Sequence, residues 1–176
     1  ITSGNNVTLV DAGAIDLGTS TVSGTYAVTA TAGGHITDSG VLAITGGATF
    51  TVANGRSIAL DQSSTFSSTV TFVASSGTIA AVMINDSNAF DLKALTTTGN
   101  LTVTAGGEIT DSGDLSIGGI TTLAAGSGNN ITLNRAGNNF QAAVKITSGN
   151  NVILVDAGAI DLGASTVSGT YAVTAT

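Results

Sequence analysis

The chain repeats itself. Ile1 to Thr31 reads ITSGNNVTLVDAGAIDLGTSTVSGTYAVTAT, and Ile146 to Thr176 reads the same except at Thr8/Ile153 and Thr19/Ala164. An internal period of 145 residues is the mark of a stacked, quasi-one-dimensional architecture. A half-repeat lies inside it: TAGGHITDSG at Thr31–Gly40 recurs as TAGGEITDSG at Thr104–Gly113, 73 residues later. The expectation is therefore one continuous segment over 1–176, made of a full repeat (1–145) and the start of the next (146–176), cut from a longer array.

A finer period runs through both halves. Apolar-x-apolar pairs, each followed after a short gap by a third large apolar residue, recur as Val7, Leu9, Ile15; Tyr26, Val28, Ile36; Leu42, Ile44, Phe50; Ile58, Leu60, Phe66; Val82, Ile84, Phe90; Leu101, Val103, Ile109; Leu115, Ile117, Leu123; and Ile131, Leu133, Phe140. Residues two apart on a strand face one side, so each pair points inward and the third residue follows a corner. Counting eight occurrences in 145 residues predicts about 18 residues per coil, four coils per half-repeat and about ten coils in all. Val70 and Phe72 lengthen one coil and read as an extra inward pair or a bulge. β-Branched residues between Gly, Asn and Asp steps favour strands, and no helical periodicity is sustained. The complete lack of Pro suits strands that are paired on both sides. The fold class expected is all-β, a right-handed parallel β-helix, the hand following from the strong bias of β-crossover-β connections. Its pairs from Val7 and Leu9 through Val152 and Leu154 should form one continuous buried stack. Tandem immunoglobulin-like modules are the rival fold, suggested by VSGTYAVTAT. An 18-residue period is too short for such a sandwich.

Composition narrows the function. Net charge is −7 with only four basic residues, the wrong balance for a nucleic-acid footprint, and no apolar run approaches a membrane span. Cys is absent, which removes disulfides and thiolate metal sites.

The segments LTVTAGGEITDSGDLSIGGITTL, NNITLNRAGNNF and NNVTLVDAGAIDLGTSTVSG resemble the repeats of large bacterial exoproteins, the filamentous haemagglutinin-like proteins and related β-strand-repeat adhesins. That resemblance implies export to the bacterial cell surface and a role as rod or stalk in adhesion or in extracellular filaments. The partners it implies are further copies of the repeat end to end, with lateral self-association or a host or neighbouring cell surface as additional contacts.

Other functions leave weaker signatures. Enzymatic β-helices need clustered carboxylates with Arg or Lys on one face. The single His, His35, is replaced by Glu108 in the second half, and no Ser has a partnered base. No catalytic residue and no cofactor is therefore assigned. Asp61, just beyond inward Leu60, and Asp86, two residues beyond inward Ile84, would fall in consecutive coils and could share a calcium ion, although calcium needs several converging oxygens. Turn stabilisation by Asp is the simpler account. By the same count Arg135 and Asp156 should meet as a cross-coil ion pair. An ice- or carbohydrate-binding face is the alternative function within this fold. Against ice, only three of ten residues lying between paired apolar positions are Thr. The Asn-x-Thr/Ser sequons at Asn6, Asn85, Asn100 and Asn130 mostly follow from an Asn corner placed before a Thr-containing strand.

Overall fold

A computed structural model describes all 176 residues. Twenty-one strands and no helix make up the chain, and it divides into two units, Ile1–Ser87 and Asn88–Thr176.

In the first unit the chain visits three faces in rotation. β1 (Val7–Asp11), β2 (Ile15–Leu17) and β3 (Ser20–Val22) line the first coil, and β4 (Tyr26–Ala30), β5 (Ile36–Asp38) and β6 (Leu42–Ile44) the second. β7 (Ala48–Val52) opens the third, and β8 (Ile58–Phe66) runs through both remaining faces of it. β9 (Val70–Ala74) and β10 (Val82–Asp86) come next. Three ladders result, all parallel: β1-β4-β7-β9, β2-β5-β8-β10 and β3-β6-β8.

The second unit is built the same way. β11 (Phe90–Leu92), β12 (Leu95–Thr97) and β13 (Leu101–Ala105) are followed by β14 (Ile109–Asp111), β15 (Leu115–Ile117) and β16 (Thr121–Ala124). β17 (Ile131–Leu133), β18 (Asn139–Phe140), β19 (Val144–Ser148), β20 (Val152–Asp156) and β21 (Tyr171–Ala175) complete it. Its ladders are β11-β14-β17-β20-β21, β12-β15-β18 and β13-β16-β19, again parallel.

Side chains alternate in and out along each strand, as a period of two demands. Tyr26, Val28 and Ala30 of β4 are buried while Ala27 and Thr29 face outward. The first unit has an aromatic centre. Phe50 packs edge-on to Tyr26 and to Phe66, with centroids 6.1 Å apart in each case, and stacks on Phe72 at 6.2 Å. Phe50 and Phe72 are register partners on β7 and β9. The second unit is filled chiefly by aliphatic residues such as Leu101, Ile109, Ile131 and Val152, with Phe90 and Phe140 among them.

The coil is longer than the apolar spacing predicts. Strand partners lie from 19 residues apart (Val7 to Tyr26) to 24 apart (Ile58 to Val82). The mean is about 21, giving about eight turns instead of ten. The expected pairs are buried, apart from half-buried Val7 and Leu9 on the outermost strand β1, but they do not form one stack. Leu42 and Ile44 belong to β6, whereas the strand lying on Tyr26 is β7, starting at Ala48. Several inward positions are taken by small or polar residues, among them Ser20, Ala48, Ser64, Thr97 and Thr121. An apolar filter skips these, merges look-alike pairs from different faces and so shortens the period. Val70 and Phe72 are the extra inward pair and not a bulge: both are buried, on the regular strand β9. The irregularity sits next door, where the β8/β10 register shifts between Ile84 and Asp86.

Candidate functional site

Polar chemistry in this molecule concentrates at the corners, where a strand ends and its last backbone groups need partners. Two devices meet that need, and a third joins side chains of neighbouring coils to one another.

The first is an asparagine in the turn leading to a strand, directly before it at Asn6, Asn100 and Asn151 and four residues before β8 at Asn54. Asn6 Oδ1 accepts from the Thr25 backbone N–H at 2.9 Å and from Thr25 Oγ1 at 3.1 Å. Asn151 repeats this on Thr170, at 3.0 Å for both. Asn54 accepts from Thr78 N–H at 3.0 Å and Asn100 from Ile120 N–H at 2.9 Å. Each amide oxygen takes the place of a ladder carbonyl and reaches one coil onward. The residue before the donor is Gly in each case, and a Cβ at Gly24, Gly77 or Gly169 would collide with the asparagine oxygen. Gly77 also has φ of 62°, a conformation that suits glycine. The sequon asparagines Asn6, Asn100 and Asn130 are thus occupied in cross-coil bonding, and Asn85 Nδ2 donates to the Asp61 carbonyl.

The second device is an aspartate ending a strand. Asp38 Oδ1 accepts from the N–H groups of Asp61 (2.8 Å) and Gln62 (3.4 Å) in the next coil. Its half-repeat counterpart Asp111 takes N–H bonds from Asn134 (3.1 Å) and Arg135 (3.5 Å). The other oxygens differ. Asn138, itself fully buried, gives its Nδ2 to Asp111 Oδ2 at 2.6 Å while its Oδ1 accepts from Leu115 N–H. In the first half Ser64 Oγ takes the bond from Leu42 N–H, and Asp38 Oδ2 is left buried without a hydrogen-bond partner. Burial pushes the Asp38 carboxyl above the usual carboxylate range; the amide donors of Gln62 and Asp61 work against this, and the Asp61 charge adds to it.

A surface cluster is the third. Lys93 Nζ lies 2.7 Å from Asp91 Oδ2 and 2.9 Å from Ser112 Oγ, and Ser112 Oγ donates to Asp91 Oδ2 at 2.7 Å. Burial works to raise the Asp91 carboxyl, but the hydrogen bonds and charge of Lys93, with Ser112 and Thr110, outweigh it and hold it low.

The sequence-expected sites fare unevenly. Asp61 and Asp86 are not aligned: the register shift sets Asp86 opposite Ser64, where it is buried, whereas Asp61 is exposed. No group of three or more His, Asp or Glu residues is placed to hold a metal ion. The coils of Arg135 and Asp156 are aligned as expected, with Leu133 on Leu154, but the ion pair is not formed. Asp156 is buried, its Oδ1 taking the Gly158 N–H. Arg135 Nε pairs with Asp114 Oδ1 at 2.6 Å instead. The difference is one of side: the Asp156 carboxyl turns inward at the strand end and Arg135 lies outside in the turn. His35 is exposed, and its Nδ1 accepts from Ser57 N–H at 3.0 Å; Glu108 in its place accepts from Asn130 Nδ2 at 3.1 Å. Imidazole and carboxylate are interchangeable there because both serve as acceptors toward the next coil. Asp38, Asp91 and Asp111 do not stand out in the sequence as site residues. The one signal it offers is the Asp common to ITDSG in both halves.

A family model described as "Repeats of unknown function (DUF5649)" matches residues 4–73, 79–147 and 149–176. No curated protein and no solved structure matches the chain.

Proposed function

The chain belongs to this family of repeats, and from that premise we propose that it is a non-catalytic structural segment of a long repetitive bacterial surface or extracellular protein of the filamentous haemagglutinin-like kind, acting as rod or stalk in adhesion. One observation carries the reading: each coil is completed by its neighbours. Tyr26, between β1 and β7, is 1% exposed, and Asn6 and Asp38 each accept backbone N–H groups of the following coil. A rod made of such coils has further copies of the repeat, stacked end to end, as its natural partners. The test is immunogold labelling of intact cells with antibody against this segment, with and without protease shaving. Surface label removed by protease is expected; label seen only after permeabilisation contradicts the reading.

One face favours a second reading, ligand binding to ice or carbohydrate. The outward residues of β1, β4, β7 and β9 are Thr8, Val10, Ala27, Thr29, Thr49, Thr51, Thr71 and Val73. None is charged and five are Thr, at spacings of about 4.8 Å across coils and about 7 Å along strands. A spacing count from sequence obscures this row because it mixes faces. Ice-recrystallisation and glycan-array assays on Thr49→Lys/Thr71→Lys against the parent chain decide it: activity lost in the variant supports the face, and no activity in either removes this reading.

A further inference from the structure

We infer that across the junction between long repeats the next half-repeat is turned by one face, about a third of a revolution, so that Glu108 and the copy of His35 that follows it point in different directions. The inference rests on the rod reading and on three observations.

Ile109, in the second copy of the TAGG-x-ITDSG motif, pairs with Ile131, which pairs with Val152, which pairs with Tyr171. These are three full coils along one ladder. Val152 is also the first strand residue of the second long repeat. That copy folds as the first does: Val152 on Tyr171 reproduces Val7 on Tyr26, and the bridge from Gly149 to Val167 reproduces that from Gly4 to Val22. The first unit therefore gives the path of the chain beyond the Tyr strand. The chain turns one corner and, ten residues on, places Ile36 in β5, on the next ladder of the three. In an array that keeps the 145-residue period, Ile109 and the next copy of Ile36 are thus separated by three coils and one face.

Length supports this independently. The two motifs are 72 residues apart across the repeat junction. Three and one third coils give about 21 to 22 residues each, near the mean of about 21. Three whole coils would need 24 throughout, the longest strand-to-strand step observed, and four would need 18 throughout, a step found only at isolated bridges such as Gly149 to Val167.

The consequence is a display that turns at the junction. Glu108 and the copy of His35 that follows it, with Thr110 and the copy of Thr37 beside them, do not line up as a stripe. A partner that engages a discrete patch meets these two groups on different faces.

The test is electron cryo-microscopy of an array extended to four consecutive 145-residue repeats, with its diffraction recorded in parallel. From Ile109 to the next copy of Ile36 the density should show an axial rise of about 16 Å with a rotation of about 120°, at about 4.8 Å per coil. A rise of about 14 or 19 Å without rotation means a whole number of coils and overturns the inference while leaving the rod intact. Loss of the 4.8 Å axial spacing overturns the rod reading, and the inference with it.

Discussion

At the scale of single residues, the two halves form a natural experiment on a buried carboxylate. Asp111 has both oxygens satisfied, and Asp38 lacks the asparagine that does this work. A carboxyl raised above its unfolded value favours the protonated folded state. The Asp38 contribution is therefore fully present below the unfolded pKa and is lost as pH rises through the folded one. Asp91 has the opposite sign: its contribution is present above the unfolded pKa and lost as pH falls through its depressed folded value. Asp38→Asn keeps an oxygen for the Asp61 and Gln62 amides and puts a neutral NH2 where the unpaired oxygen was. It should raise Tm near neutral pH and leave it unchanged or lower in acid, measured by thermal melts across pH. A variant destabilised equally at all pH values would show that the charge at Asp38 carries no cost.

At the scale of the element, stability comes from what stacks on the inward row. Phe50 is fully buried and touches three other rings. Phe50→Ala should cost about 3–5 kcal/mol in denaturant unfolding, as truncation of a buried aromatic does; a loss under about 1 kcal/mol would mean that the ladder is not packed around it. The elements also show how much is legible in the sequence. Parallel strands, inward pairs and Asn-Gly corners can be read because β-branched alternation and turn residues act locally. The coil length cannot, because it depends on which strand lies on which. Ala48 lies under Tyr26, and Ser64 fills an inward site; small and polar residues at inward positions leave no hydrophobic trace. The polar corners are half legible: Asn-before-strand is visible, but whether an Asp turns inward, as Asp156 and Asp38 do, or outward, as Asp61 does, is settled by the coil above.

For the whole chain, the repeat is the unit of stability. Since each coil's backbone and core are completed by neighbours, stability should grow with repeat number by nearest-neighbour terms. Extending the chain by one further 145-residue repeat should raise both Tm and the denaturant midpoint, seen by circular dichroism; an unchanged midpoint would mean that added coils do not couple to those present. A net charge of −7, carried in part by exposed residues such as Asp16 and Asp61, provides repulsion that opposes precipitation.

The central claim is that chain segments about 21 residues apart lie side by side in parallel. Thr49 and Thr71, outward on β7 and β9, are register partners, and neighbouring strands run about 4.8 Å apart, within the span a disulfide bridges. The most direct measurement is oxidative cross-linking of Thr49→Cys with Thr71→Cys, mapped by mass spectrometry. Rapid, near-complete intramolecular bridging is the result predicted. Bridging of Thr49→Cys to Ser67→Cys instead, the partner that an 18-residue coil would supply, would contradict it.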